Sequence, residues 1–216
     1  QAFAKHLSEA GITVDGEPTR AAASGSAREV ASVSSAPLSD ILSVSLKTSD
    51  NTMTEVEGRL VAAHAKETTD FAGASKAVLA QLSKDGFDTS GVTLLDSSGL
   101  AKGNKVPARL LAQILAKAAG GQGSSAGRTL IADLPVAALD GTLDHRLHDT
   151  AAAGTVRAKT GSLEQTSSLA GVVTTADGRQ LAFAVLANGF PANGVGAAAA
   201  AIDNHFVAPL ASCGCS

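Results

Sequence analysis

The sequence of 216 residues has no tryptophan and no tyrosine, and its six phenylalanines are scattered. Aromatic stacking platforms are therefore almost excluded. Its two cysteines both lie near the C-terminus, which rules out a disulfide scaffold and any multi-cysteine metal site. An excess of positive charge is also missing. Seventeen Lys and Arg stand against twenty Asp and Glu, for a formal net charge of −3. A nucleic-acid binder would carry a basic stripe, so no nucleic-acid partner is expected. No apolar run reaches the ~18 residues that a membrane span needs. The chain has no initiating Met and no signal-peptide pattern, and it opens within a segment that already reads as helix. That start reads as part of a longer protein. What is present is 44% hydrophobic, too apolar for disorder and long enough for one full core with a small appendage.

Hydrophobic spacing gives the order of elements. A helix end is expected over residues 1–10, then a short strand or turn over 11–16 and a polar loop over 18–26. Alternation over 28–34 reads as a short strand. Leu38, Ile41, Leu42, Ser45 and Leu46 follow helical spacing behind Pro37, and Ser49-Asp50-Asn51 breaks it. Met53, Val56, Leu60, Val61 and His64 begin a second helical stripe. Asp70 caps a third helix, closed by Gly86, and Pro107 opens a fourth that Gly120 ends. Residues 120–127 read as a flexible loop and 129–134 as a short apolar run. Strands are expected near 154–159, 167–175 and 180–188, the last two joined by the hairpin signal Ala176-Asp177-Gly178-Arg179. An Ala-rich helix over 192–211 closes the chain. Helices, then an antiparallel meander, then a helix make an α+β plan.

Four groups of residues carry candidate chemistry. Gly123-Ser124-Ser125-Ala126-Gly127 matches Gly-x-Ser-x-Gly, but no strand precedes it, so a Gly/Ser loop is the better reading. His145 and His148, with Asp144 and Asp149, could share a metal, yet no third ligand has suitable spacing. They read as a solvated short helix, and no metal or organic cofactor is expected. Cys213-Gly214-Cys215 reads as a mobile tail, or as an oxidised pair if the protein is exported. The fourth group is Ser49-Asp50-Asn51 with Lys159-Thr160-Gly161-Ser162. The first triplet sits at a helix–helix junction and the second run at a strand end, where Gly161 admits a substrate backbone.

This fourth set suits acyl transfer. Ser49 could pass a proton to a leaving amine while a charged Lys159 holds its hydroxyl. Asn51 could donate to a substrate amide carbonyl. The hydroxyls of Thr160 and Ser162 could bind a terminal carboxylate, and the Ser162 N–H could form half of an oxyanion hole.

Ser-x-Asn followed by Lys-Thr-Gly-Ser resembles the penicillin-binding proteins and serine β-lactamases. Three longer strings narrow the likeness: Asp96-Ser97-Ser98-Gly99-Leu100 with Asn104, Asp140-Gly141-Thr142-Leu143 with Arg146, and Val156 to Leu163 with Ser168-Leu169-Ala170-Gly171. Together they resemble the D-alanyl-D-alanine carboxypeptidase/endopeptidase family, the class C low-molecular-mass penicillin-binding proteins, over nearly the whole chain. The resemblance implies a β-lactamase/transpeptidase-like fold: an antiparallel sheet flanked by helices, beside a helical cluster, with the site between them. It implies a serine-type peptidase acting on peptidoglycan stem peptides through an acyl-enzyme, β-lactam binding, and an exported, cell-envelope location. Residues 1–26 would be the end of an inserted domain or linker, and 27–216 the C-terminal part of the penicillin-binding domain.

The sequence departs from that pattern in specific places. The family's Ser-x-x-Lys nucleophile motif does not occur; Ser43-Val44-Ser45-Leu46-Lys47 misses the spacing by one. An upstream part of the same protein is then expected to carry the nucleophile, and this chain alone is expected to be inactive. Ser97 stands where Gly is usual. Lys102 stands where Arg is common, which keeps a charge for the substrate's side chain but loses bidentate geometry. Two alternatives remain open. A class A β-lactamase would need a Glu-x-x-Leu-Asn segment, and neither Glu55, Glu57 nor Glu67 fits it. A non-catalytic muropeptide-binding module would have little reason to keep both Ser49 and Lys159.

Overall fold

Apolar residues on both faces of three strands set the layers of the fold. In this computed structural model, which describes residues 2–17, 19–120 and 124–214, β1 (Val156–Leu163), β2 (Thr166–Thr174) and β3 (Gln180–Asn188) form an antiparallel meander. Val156 pairs with Val173, and Thr174 with Gln180. Successive side chains alternate between faces. One face, through Val156, Ala158, Leu169, Val173 and Phe183, buries Leu143, Ile202 and Val207. The other, through Ala170, Val172 and Ala182, meets Leu115, Ala118, Ile131 and Leu134, with Leu46 at the margin. Apolar residues on both faces require cover on both, and the α+β architecture expected from the sequence is the one observed.

Two compact units divide the chain, Gln1–Ser35 and Ala36–Ser216. The first holds α1 (Ala2–Glu9), which buries none of its residues. Residues 28–34 form no strand, contrary to expectation. Val30 and Val33 are 87% and 97% exposed, and alternation without a pairing partner leaves the backbone hydrogen-bonded to water. Of the strand or turn expected over 11–16, the structure shows a turn at Gly11 and a bend at Gly16 with irregular backbone between.

In the second unit α2 (Leu38–Thr48) and α3 (Asn51–His64) meet at the Ser49-Asp50 junction. α4 (Phe71–Lys84) packs on α3 through Ala62, Ala74 and Ala77. The Asp70 carboxylate accepts the Gly73 N–H, the expected cap. α5 (Ala108–Ala119) ends at Gly120 as its sequence indicates.

One expectation needs correction. The Gly/Ser-rich segment does not continue as a loop to residue 127. α6 (Ser125–Asp133) begins inside it, with Ser124 accepting the Gly127 N–H. Gly127 lies against the Ala118 backbone, so a cap and close packing override weak propensity. The closing helix is present but not regular throughout: it runs without a gap from α7 (Val195–Ile202) through a wide π turn over Asp203–Val207 into α8 (Ala208–Ser212). The wide turn precedes Pro209, which has no N–H for the regular ladder.

Close approach within the sheet centres on Gly171, opposite Ala158. A Cβ at Gly171 would run into the Arg157 carbonyl oxygen and the Ala158 side chain. Gly171→Ala is expected to destabilise the protein by about 1–3 kcal/mol, read as a lower urea midpoint at unchanged slope.

Candidate active site

The end of α2 explains where Ser49 points. Ser49 closes that helix in the left-handed conformation, at φ 55° and ψ 45°, and its N–H returns to the Ser45 carbonyl. A non-glycine residue there is strained by roughly 1–2 kcal/mol. The chain restarts at once, because the Asp50 carboxylate accepts the Met53 N–H at 2.9 Å and caps α3. Asn51 is the first residue of α3. The Ser-Asp-Asn triplet is therefore both a helix junction and part of a cleft wall.

Opposite lies the edge of β1. The outer edge of its first half is covered by the loop 134–143, which follows α6: Ala137 N–H donates to the Val156 carbonyl, and Ala158 N–H to that of Pro135. Alternation places the N–H groups of Thr160 and Ser162 on the same edge as that of Ala158. Lys159 reaches across. Its Nζ donates to Ser49 Oγ at 2.7 Å and to the Thr160 carbonyl at 3.0 Å. Burial pushes the Lys159 ammonium below the ordinary lysine range. An ammonium has only donors, so Ser49 accepts from it and keeps its own O–H for another acceptor in the cleft.

Ser49, Asn51, Lys159, Thr160, Gly161, Ser162 and Lys102 all line one cleft of about 1980 Å³. Lys102 is different: its side chain is 89% exposed and lies 3.6 Å from the Glu164 carboxylate. Thr160 Oγ1 donates to Thr142 Oγ1 at 2.9 Å. The other candidates do not assemble. His145 is almost fully exposed, and His148 bonds the Asp144 carbonyl. Among the described residues no group of three or more His, Cys, Asp or Glu could hold a metal. Ser125 opens α6 with no strand before it, and Gly123 lies outside the described residues. Cys213 is disulfide-bonded, and Cys215 lies outside the described residues.

Several supporting residues had no role in the sequence reading. Glu55 accepts the N–H groups of Ser97 and Ser98. Asp96 accepts those of Gly99 and Ala101 and the Asn104 amide, which shapes the Asp96–Asn104 loop at the cleft. Glu57, deeper on α3, is pushed above the ordinary carboxyl range by burial, although Ser45 donates to it. Lys47 donates to both Asp140 oxygens at 2.8 and 2.7 Å and to the Leu134 carbonyl at 2.8 Å. Asp140 and Thr142 were visible only as letters of a longer string.

Residues 1–208 match the D-Ala-D-Ala carboxypeptidase 3 (S13) family, and the chain belongs to it. It is 45% identical to carboxypeptidase DacB of Mycolicibacterium smegmatis over 86% of this chain and 40% of that protein. It is 36% identical to a D-alanyl-D-alanine carboxypeptidase of an Actinomadura species, over 87% and 36%. Among solved structures, penicillin-binding protein 4 of Haemophilus influenzae in complex with a β-lactam superposes with a TM-score of 0.78 at 30% identity, over 87% of this chain and 43% of that one. The chain thus spans about two fifths of the length of these relatives.

Burial opposes ionisation of Asp140, but the bonds from Lys47 and the Val136 N–H outweigh it and hold its carboxyl below the usual range. A lowered folded pKa adds stability above the unfolded value, about 3.9, and that stability is lost as pH falls through the folded value. Asp140→Asn is therefore expected to lower the urea midpoint at pH 7 and to flatten its fall towards pH 3.

Proposed function

We propose that this chain is the C-terminal part of the catalytic domain of a serine-type D-Ala-D-Ala carboxypeptidase/endopeptidase that also binds penicillin. The observation that carries this reading is the 2.7 Å bond from Lys159 Nζ to Ser49 Oγ across the cleft, in a chain of the S13 family. Ser49, Asn51 and Lys159 are the catalytic residues. Thr160, Gly161, Ser162 and Lys102 bind substrate.

The steps follow from the donors and acceptors. A peptide lying along the open edge of β1 meets the N–H groups of Thr160 and Ser162 as an added strand would. The Lys159 charge and the hydroxyls of Thr160 and Ser162 draw the terminal carboxylate of a stem peptide. The Asn51 amide donates to a substrate carbonyl. A serine attacks the penultimate D-Ala carbonyl and gives its proton to a base on its own segment, while the Ser162 N–H stabilises the oxyanion that forms. Ser49, held by Lys159, passes its proton to the departing amine of the terminal D-Ala and takes one back from that base. Water then releases the acyl group. A β-lactam enters the same sequence, but its amine stays tethered and the ester persists.

The sequence holds no Ser-x-x-Lys, so the attacking serine is placed on a segment outside it. Residues 1–26 are then the end of an inserted domain or linker, 27–216 the C-terminal part of the penicillin-binding domain, and the chain by itself turns over no substrate. Peptidoglycan as substrate makes the site of action the cell envelope.

The test is intact-mass analysis of the natural gene product after incubation with benzylpenicillin. The expected result is a stable gain of one drug mass, mapped to a serine outside these 216 residues, with Ser49→Ala slowing acylation by about 10²–10⁴-fold. No adduct with intact drug would favour a muropeptide-binding module. No adduct with rapid drug hydrolysis would favour a β-lactamase.

A further inference from the structure

The Ser49–Lys159 contact joins elements 110 residues apart, and neither side chain can set that distance alone. Ser49 sits one residue beyond α2 and Lys159 within an edge strand. Between them runs the loop 134–143. Its inner side is fixed to β1: Val136 bridges Arg157, and Pro135 and Ala137 exchange backbone bonds with Ala158 and Val156. Its outer side is fixed to the last turn of α2 by Lys47, whose three ammonium donors find three acceptors, the Leu134 carbonyl and both oxygens of Asp140.

A second contact supports the first. Gly141 lies so close to α2 that a Cβ on it would stand 2.8 Å from the Lys47 carbonyl, and its φ is +58°. The next residue, Thr142, accepts from the Thr160 hydroxyl. One short loop therefore touches α2 two residues before Ser49, and β1 on both sides of Lys159.

We infer that Lys47 is a positioning residue: through Asp140 and Leu134 it fixes the end of α2 to the loop 134–143 and so sets the distance and alignment of Ser49 relative to Lys159 and Thr160. This rests on the acyl-transfer reading of Ser49 and Lys159 given above. With Lys47 uncharged, Asp140 loses its hydrogen-bonded cation, keeping only the more distant charge of Arg157, and Leu134 loses its donor. The turn holding Ser49, already strained in the left-handed region, is then free to swing from β1. Water enters beside Lys159, the proton-passing geometry degrades, and Lys159 regains an ordinary ammonium.

The test uses the natural full-length protein with Lys47→Met, Lys47→Arg and Asp140→Asn. Two quantities are read: the rate of acylation by benzylpenicillin per folded molecule, and the titration of Lys159, followed by competitive acylation of lysine amines with peptide mapping between about pH 7 and 11. Lys47→Met is expected to slow acylation at least about tenfold and to move the Lys159 titration upwards. Lys47→Arg, whose fork holds both Asp140 oxygens, keeps the rate within about threefold. Asp140→Asn separates geometry from direct charge. Losing a carboxylate would by Coulomb's law lower a neighbouring lysine, so an upward shift in that variant reports water entry. It also serves where Lys47→Met does not fold.

Wild-type acylation and an unmoved Lys159 in Lys47→Met and Asp140→Asn, with only a lower unfolding midpoint, would overturn the assignment and leave Lys47 a stability contact. If the wild-type protein takes up no penicillin, the acyl-transfer reading fails, and the Lys159 titration in the two variants decides the positioning claim by itself.

Discussion

A lysine ammonium drawn out of water must find acceptors, and Lys159 finds two: Ser49 Oγ and its neighbour's carbonyl. Much of the second unit is arranged to make that contact available. The first acceptor belongs to the helical side and the second to the sheet, so the cation spans the cleft. Burial depresses its pKa, which raises the value of each acceptor, because an unmet donor costs more as water is excluded. The same cation gives the cleft a positive centre without a basic surface. The chain as a whole is acidic, of net charge −3, yet this wall of the cleft carries a cation.

The sheet serves this contact through its edge. β1 is one of the two edge strands of the three. Its first half is closed by the loop 134–143, while the stretch from Lys159 to Ser162 faces the cleft. An uncovered edge is ordinarily an aggregation hazard. Here the stretch that faces the cleft is short, and the N–H groups on its outer edge are those of Thr160 and Ser162, within the Lys-Thr-Gly-Ser run. The two faces of the strand divide the work. Lys159 shares a face with Ala170, towards α2 and α5, whereas Thr160 turns to Thr142 on the other.

The sequence was informative where local chemistry decides the outcome. Asp70, Pro107 and Gly120 mark helix ends by caps and missing donors, and the hairpin at 176–179 needs only Gly178 at φ +81°. It was uninformative where tertiary contacts decide. Nothing local tells that residues 28–34 lack a strand partner, that α6 starts within a Gly/Ser run, or that α7 widens into a π turn before Pro209. At the site, Ser49, Asn51 and the Lys159–Ser162 run were legible because each has a motif with a chemical reason. Lys47, Glu55, Asp140 and Thr142 were not. Their roles exist only after folding brings residues 87, 42, 93 and 18 positions apart into hydrogen-bond range. Lys102 shows the converse: a legible charge whose side chain stands almost wholly in solvent beside Glu164.

The central claim is that Ser49 and Lys159 work as one unit on an acyl group bound along β1. A crystal structure of the natural protein after reaction with benzylpenicillin tests it most directly. The account predicts the drug's carboxylate within about 3.2 Å of the Thr160 and Ser162 hydroxyls, with Ser49 bonded to Lys159 and facing the nitrogen of the opened ring. A drug acylated elsewhere, or a carboxylate held away from β1 with Ser49 and Lys159 apart, would contradict it.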